Sequence, residues 1–230
     1  EAAGIRTACF FPPVLGRLNL RVNYRNHRKI VVIDGHTGYV GGFNVGREYL
    51  GREPKFGYWR DTHLKIRGSA VYSLQIRFAL DWNYAVKENL FMDGTYFGLP
   101  EKAEGQPPLA DGNSASSAKA SEHGVGIQII NSGPDASNRQ IRNNYLQMFH
   151  RAKHHIYIQT PYFVPDDAVL SALKIAAESG LDVRLMIPCK PDHPFVYWAT
   201  YSYVRDLLEA GARCYVYENG FLHAKGVMVD

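Results

Sequence analysis

The chain has 230 residues, of which 46% are hydrophobic and 21% charged, with three cysteines and a net charge of +4. This composition is typical of a globular protein and excludes a disordered or fibrous chain as a whole. The cysteines form no CxxC pair, which argues against a disulfide framework or a zinc cluster. No apolar run approaches the roughly 18 residues that cross a bilayer, so we expect membrane contact to be peripheral or to lie outside this sequence.

The first part of the chain, residues 1–98, is basic, with 14 Lys and Arg against 8 Asp and Glu. Such a surplus attracts phosphate-bearing partners such as lipid headgroups or nucleic acid, although a solvated basic face explains it equally well. A stretch rich in Pro, Ser, Ala and Gly follows, and it predicts a flexible linker over residues 99–124. The linker separates the first part from residues 125–230.

In the second part of the chain, strands alternate with helices. Apolar periodicity and glycine stop signals predict helices near residues 138–153, 166–179 and 197–210. Strands are predicted at residues 155–160, 183–188 and 213–217 and at the end of the chain. This alternation is typical of an α/β domain, in which helices flank a sheet.

Two segments of the chain resemble each other. The opening "EAAGIRTACFF" is similar to "EAGARCYVYE" near the end, and each precedes the pattern HxKxxxxD. The motif residues are His27, Lys29 and Asp34 in the first copy and His223, Lys225 and Asp230 in the second. Such a repeat predicts two related domains. We expect residues 1–98 to be the C-terminal part of the first domain and residues 125–230 the N-terminal part of the second, within a longer protein.

Each HxK pair carries an imidazole and an ammonium group two positions apart. In a strand, such residues share one face, and two such strands that meet across a pseudo-twofold axis would surround one anion. A phosphodiester suits this arrangement, because lysines neutralise its non-bridging oxygens and stabilise the charge of the transition state. One neutral His can attack phosphorus while the other, protonated, donates a proton to the leaving oxygen. This chemistry needs no metal and no cofactor.

Residues that follow the first motif extend the predicted site. Asp34 is of opposite parity to His27 and begins an Asp-Gly hairpin signal, so it either supports the site from the strand end or is a simple turn residue. Further on, Gly42 permits a close backbone approach and the Asn44 amide can hold a His or a phosphate oxygen. In "THLKIRGSA" the HxK spacing recurs without the Asp, and we interpret that stretch as structural.

Two residues of the second part are candidates for substrate binding. Tyr162, in "QTPYFVPD", lines a lipid-facing cleft or packs in the core, which is the more common use of aromatic residues. His193, in "KPDHP", is either an ordinary loop residue or part of a substrate entrance.

The duplicated HxKxxxxD motif, with a Gly-Gly-x-Asn turn after its first copy, resembles the phospholipase D superfamily. Within it, "NYRNHRKIVVIDG", "GYVGGFNVGREYLG", "WRDTHLKIRG", "YIQTPYFVPD" and "GFLHAKGVMVD" are similar to bacterial cardiolipin synthases. The similar stretches are spread along nearly everything except the linker. The resemblance implies two pseudo-repeated phospholipase D-like domains, each a mixed β-sheet flanked by helices, with the active site at the pseudo-twofold interface between them.

The resemblance also implies a reaction. One phosphatidylglycerol gives its phosphatidyl group to the enzyme and a second takes it, which yields cardiolipin and glycerol. His27 would be the nucleophile and His223 the acid that later serves as base, while the motif lysines clamp the phosphate and the motif aspartates and Asn44 support them. The implied partners are a phospholipid and a membrane surface rather than nucleic acid, and the implied location is the bacterial cell membrane.

Two other functions stay open. A hydrolase of the same superfamily would cleave a phosphodiester in lipid or nucleic acid, and the basic first half fits a nuclease. A non-catalytic phosphate- or membrane-binding module would retain the fold, but binding alone needs the lysines and not a paired nucleophile and acid.

Overall fold

A computed structural model describes residues 3–10, 26–97, 124–133, 137–190 and 194–230. Its internal contacts divide the chain into two compact units. Unit 1 comprises Glu1–Gly38 and Lys65–Ile129, and unit 2 comprises Tyr39–Leu64 and Ile130–Asp230. The predicted linker, apart from Gly124, and the candidate residue His193 lie outside the described residues.

Unit 1 is built on a long helix, α1 (Ala70–Val86), which buries Val71 and Leu74. Strand β1 (Ile30–Ile33) leads into β2 (Thr37–Gly41) through a tight turn. In that turn Asp34 has φ 51° and Gly35 has φ 68°, and the His36 N–H donates to the Ile33 carbonyl. Two consecutive positive φ values suit the twist of a hairpin, so the predicted Asp-Gly hairpin is confirmed. A short helix, α2 (Gly94–Phe97), follows α1.

Strands β1, β2 and β4 (His63–Arg67) form a three-stranded sheet in the order β1-β2-β4. Within β2 and within β4 the chain passes from one unit to the other.

Unit 2 contains a four-stranded mixed sheet. Its strands are β5 (His155–Gln159), β6 (Asp182–Pro188), β7 (Arg213–Tyr217) and β9 (Gly226–Val229). The order is β7-β6-β5-β9, with β5, β6 and β7 parallel and β9 antiparallel to β5. The predicted mixed α/β architecture is therefore confirmed.

Two helices connect the parallel strands of this sheet, because neighbouring parallel strands need long crossovers. They are α4 (Asp167–Glu178), between β5 and β6, and α5 (Pro194–Glu209), between β6 and β7, while α3 (Gln140–Arg151) precedes β5. Asp166 caps α4 by accepting a 2.9 Å hydrogen bond from the Val169 N–H, which satisfies a donor that the helix leaves unpaired. Over the described part of the chain, no helix combines the length and the apolar character that a membrane span requires.

The core of unit 2 lies between the sheet and these helices. Strand β6 alternates between half-buried and buried residues up to Ile187, with Val183, Leu185 and Ile187 buried, and it ends on the buried Pro188. They pack with Leu173 from α4 and Leu207 from α5, both fully buried. Removal of such side chains from water is the main stabilising contribution to this fold.

Unit 2 also contains a short parallel pair, β3 (Trp59–Arg60) and β8 (Phe221–Leu222). The register places Trp59 opposite Phe221, with the two ring centroids 4.8 Å apart. Because Phe221 is fully buried, the pair fixes the chain just before His223.

The two HxK segments lie beside strands and not within them, which corrects the sequence-based expectation. Residues 27–29 precede β1, and residues 223–225 connect β8 to β9. In both copies a four-residue strand starts directly after the Lys, and the motif Asp follows that strand. The copies therefore agree in local structure as well as in sequence.

Candidate active site

The His223 ring in unit 2 has a partner at each nitrogen. Its Nδ1 lies 2.6 Å from Oδ2 of Asp61, and its Nε2 lies 2.7 Å from Nζ of Lys225. The Asp61 side chain is only 1% exposed and that of His223 is 12% exposed. An ionised carboxylate only accepts hydrogen bonds, so the His223 Nδ1 carries the hydrogen that Asp61 accepts. The other ring nitrogen, Nε2, is therefore the one that can exchange a proton with a ligand.

The pairing of β3 with β8 brings Asp61 to His223. Arg60 lies opposite Leu222 at the ends of the two strands, so Asp61 and His223, the residues that follow, lie side by side. The His223 N–H donates to the Arg60 carbonyl at 2.8 Å, which holds the two segments together beyond the strands. The Thr62 N–H donates to Asp61 Oδ1 at 2.7 Å and fixes the carboxylate.

Gly42 makes room for that carboxylate. A Cβ atom built on Gly42 would lie 2.0 Å from Asp61 Oδ1, a distance that no side chain tolerates. The Gly42 N–H donates to the Thr62 carbonyl at 3.0 Å. Sequence analysis predicts a close backbone approach at this glycine, and the structure places that approach against Asp61.

Aromatic rings surround the His223 imidazole. The ring centroid of Trp59 lies 5.1 Å from that of His223, and Tyr49 and His223 form a T-shaped pair with their centroids 5.9 Å apart. Burial raises the pKa of the Tyr49 hydroxyl above its ordinary value. Asn44 donates a hydrogen bond from Nδ2 to that hydroxyl. The candidate Asn44 is thus joined to His223 through Tyr49.

The first motif lies in unit 1, where His27 is exposed. The Lys29 Nζ donates to the carbonyl of His27 at 2.8 Å. In unit 2 the Lys225 Nζ donates to the carbonyl of His223 at 2.7 Å. Each motif lysine therefore folds back on the residue two positions before it, in the same geometry in both copies.

A buried carboxylate on α1 holds the residues on either side of His27. Asp81 accepts from Asn26 Nδ2 at 3.0 Å and from Arg28 Nη1 at 3.1 Å. It also forms an ion pair with Arg77 on its own helix. The Asp81 side chain is 10% exposed, so these bonds are largely shielded from water.

The motif aspartates both lie at strand ends. Asp34 occupies the first turn position after β1. Asp230 follows β9 and accepts hydrogen bonds from the backbone N–H groups of Lys153, His154 and His155, at 3.1, 3.0 and 2.9 Å. These bonds hold the pKa of the Asp230 carboxyl well below its ordinary value. In unit 2 this aspartate therefore fixes the start of β5.

Tyr162 contributes to an open groove of unit 2 that also includes Lys225. The next residue, Phe163, is buried, and its N–H donates to the Thr200 hydroxyl at 3.1 Å. In the stretch "THLKIRGSA", His63 stacks on Phe43 with ring centroids 5.3 Å apart, which fits the structural interpretation. Within the described ranges, no group of three or more His, Cys, Asp or Glu is arranged to hold a metal.

Asp61 is the residue that sequence analysis missed. It lies in "WRDTHLKIRG", one of the stretches that resemble the cardiolipin synthases, and that resemblance is the signal that could have found it. Nothing in the spacing of the HxKxxxxD motifs links Asp61 to the second histidine, 162 positions away.

Comparison with known proteins gives the same family. A family model described as "Cardiolipin synthase, PLD-like domain" matches residues 145–230. The chain is 55% identical over 228 residues to the major cardiolipin synthase ClsA of Bacillus subtilis, which covers 99% of this chain and 44% of that protein. It is 50% identical over 230 residues to the cardiolipin synthase of Oceanobacillus iheyensis, covering 100% of this chain and 44% of that protein. The chain thus spans less than half the length of these relatives.

A solved structure supports the fold. The crystal structure of phosphatidylserine synthase from Haemophilus influenzae matches with a TM-score of 0.54 and 18% identity. The match covers 89% of this chain and 51% of that one. The predicted resemblance to the phospholipase D superfamily, and within it to bacterial cardiolipin synthases, is confirmed, and residues 145–230 form a PLD-like domain of the cardiolipin synthase family.

Proposed function

We propose that the full-length protein that carries this chain is a cardiolipin synthase, which joins two phosphatidylglycerol molecules into cardiolipin and releases glycerol. The relatives named cardiolipin synthase, which are 50 to 55% identical to nearly the whole chain, support the proposal. The observation that carries it is the Asp61–His223–Lys225 array. An imidazole that a buried carboxylate orients and an ammonium group flanks is suited to proton transfer beside a phosphate.

In the first half-reaction, a ring nitrogen of His27 attacks the phosphorus of phosphatidylglycerol. A P–N bond forms and the P–O bond to the headgroup glycerol breaks. Protonated His223 gives its Nε2 proton to the departing glycerol oxygen, while Asp61 offsets the charge of the imidazolium before transfer. Lys29 and Lys225 bind the non-bridging oxygens and stabilise the charge that develops on them. The products are free glycerol and a phosphatidyl group on His27.

In the second half-reaction, His223 acts as a base. Its neutral Nε2 takes the proton from a headgroup hydroxyl of a second phosphatidylglycerol. The resulting oxygen attacks phosphorus, a P–O bond forms and the P–N bond to His27 breaks. Cardiolipin leaves, His27 is regenerated and His223 is again protonated. His27 is the nucleophile and His223 the acid and base throughout. The two imidazoles therefore need different protonation states, which requires different surroundings.

The active site is proposed to lie at the interface of two pseudo-repeated domains, where both motifs face one phosphate. The equivalent folding of Lys29 and Lys225 onto the preceding His carbonyl, at 2.8 and 2.7 Å, supports the equivalence of the copies. Asp34 and Asp230 are proposed to support the site from the strand ends. Asn44 would act through Tyr49, and Gly42 would act through Asp61. Tyr162 and His193 would contact the substrate.

Contact with a bacterial cell membrane is part of the proposal. Near the start of α5, Phe195 is 92% exposed and Trp198 is 77% exposed. The two residues are three positions apart and share a helix face. Exposed aromatic residues of this kind suit the interface between lipid headgroups and hydrocarbon.

Product analysis tests the proposal. The full-length protein is incubated in vesicles with phosphatidylglycerol labelled in the phosphatidyl group, and the lipids are separated. We expect labelled cardiolipin and an equal amount of free glycerol. Phosphatidic acid without cardiolipin would instead identify a hydrolase. Cleavage of DNA with neither lipid product would identify a nuclease, and binding of vesicles without any product would identify a non-catalytic module.

A further inference from the structure

We infer that the groove of unit 2 that Lys225 lines binds the hydrocarbon chain of an anionic phospholipid whose phosphate lies at Lys225. The inference rests on the proposed function and extends it, because it assigns a place to the apolar part of the substrate. The groove is defined by α3, by residues 160–166 and by the paired strands β5 and β9. Its volume is about 390 Å³, within the range of about 300 to 1,000 Å³ that is usual for ligand sites.

The floor of the groove is apolar and fixed. Ile158 of β5 pairs with Val227 of β9, so the floor is part of the regular sheet. Phe149 and Leu173 close the bottom and are buried at 4% and 0% exposure. Because these side chains belong to the core of unit 2, the groove is formed before any ligand binds.

The walls of the groove leave apolar side chains open to solvent. Ile141 and Tyr145 on α3 are 40% and 36% exposed, and Val164 on the facing loop segment is 51% exposed. Single exposed hydrophobic residues are common on protein surfaces, but three around one groove form a surface that a hydrocarbon chain would cover.

Three charged residues line the groove, namely Arg142, Asp166 and Lys225. Arg142 and Asp166 form an ion pair with each other, so their charges offset. Lys225 adds a positive charge beside the second motif histidine, with its Nζ 2.7 Å from His223 Nε2. A cation beside apolar walls complements an amphiphile that has an anionic head and a hydrocarbon tail.

The test measures binding and not turnover. Butyl, hexyl and octyl phosphate, each monomeric at the concentrations used, are titrated into the full-length protein, and Kd is measured by calorimetry. We expect affinity to rise by roughly fourfold for each added methylene group that enters the groove. Ile141→Glu places a carboxylate in the wall and should remove this dependence on chain length.

Ile175→Glu is the matched control, because Ile175 lies on α4, is 61% exposed and is not part of the groove. It should retain the chain-length dependence of the unsubstituted protein. Val164→Glu, which changes another wall, repeats the test if Ile141→Glu does not fold.

Equal Kd values for butyl and octyl phosphate in the unsubstituted protein would overturn the inference, as would unchanged dependence in both Ile141→Glu and Val164→Glu. Cardiolipin formation, measured separately in the same preparations, would in that case leave the proposed function standing. A peptide that competes with octyl phosphate more strongly than a phospholipid does would show a different occupant and would also overturn the inference.

Discussion

At the scale of single residues, the properties of His223 follow from what each ring nitrogen contacts. Asp61 holds Nδ1, and Lys225 lies at Nε2. Trp59 and Tyr49 pack around the ring, so little water reaches the Asp61 carboxylate. Because the carboxylate accepts only at Nδ1, it selects the tautomer whose Nε2 is available for proton transfer.

Asp61→Asn tests this orientation. An amide can donate to Nδ1 as well as accept, so it no longer selects one tautomer and no longer offsets the imidazolium charge. We expect kcat for cardiolipin formation to fall by about 10²- to 10⁴-fold, the contribution usual for a general acid or base. The measurement is kcat as a function of pH, together with ¹⁵N NMR of the histidine tautomers.

Asp167→Asn is the matched control, because Asp167 is an exposed carboxylate in the first turn of α4. It should leave kcat unchanged. A wild-type kcat in Asp61→Asn would contradict the positioning role of Asp61.

Asp230 is expected to act on stability through its charge. Backbone hydrogen bonds lower its folded pKa below the unfolded value of about 4. The carboxylate therefore stabilises the fold fully above about pH 4, and this contribution is lost as the pH falls from there toward the folded pKa. Asp230→Asn should lower Tm at neutral pH, and the Tm difference from wild type should shrink below pH 4 in thermal unfolding.

The other motif copy supplies the comparison. Asp34 lies in a left-handed turn position, which Asn also tolerates. Asp34→Asn should therefore change Tm little at neutral pH. A Tm difference for Asp230→Asn that stays constant from pH 7 to pH 3 would rule out the charge as its cause.

At the scale of elements, α1 of unit 1 holds the first motif through one side chain. Asp81 bonds to Asn26 and Arg28, which lie on either side of His27. It also pairs with Arg77 on α1, so one carboxylate forms ion pairs with two guanidinium groups. Residues 26–29 are outside any strand and depend on such side-chain bonds for their position.

Asp81→Ala leaves Arg28 and Arg77 without their carboxylate in a largely buried place. We expect the free energy of unfolding to fall by about 2 to 4 kcal/mol, measured by urea denaturation. Glu88→Ala removes an exposed carboxylate that pairs with Arg6 and should change stability little. Equal losses in the two variants would show that burial of Asp81 does not matter.

The start of α5 gives a prediction about lipid contact. If Trp198 inserts into the membrane interface, lipids brominated along their acyl chains should quench its fluorescence. Quenching of the full-length protein in such vesicles should be weaker in Trp198→Phe than in Trp82→Phe, which serves as the control. The same quenching in both variants would place Trp198 outside the lipid.

At the scale of the whole molecule, local patterns carried most of what the sequence could predict. The strand predicted at residues 213–217 coincides with β7, and the helix predicted at 166–179 contains α4. Apolar periodicity and caps are local signals, so they can be recognised without knowledge of the fold. The family resemblance could also be predicted, because each HxKxxxxD motif is a run of consecutive residues.

The contact between Asp61 and His223 was not accessible in this way. It depends on β3 and β8, two strands of two residues each, which are too short to give a periodic pattern. The hydrogen bonds that the Asp230 carboxylate accepts from backbone N–H groups likewise join residues 75 to 77 positions apart. The HxK segments were expected in strands, because residues two positions apart share one face of a strand. That spacing does not show whether the backbone pairs with a neighbouring strand, and both segments lie just before a strand.

The central claim is that a phosphatidyl group passes through His27 with His223 as its proton donor and acceptor. The most direct measurement is to quench the full-length protein during turnover of labelled phosphatidylglycerol, in alkaline denaturant because phosphohistidine is acid-labile, and to locate the label by mass spectrometry. We predict a phosphatidyl adduct on His27, its absence together with loss of turnover in His27→Ala, and cardiolipin as the product. Undiminished cardiolipin synthesis by His27→Ala, or an adduct on His223, would contradict it.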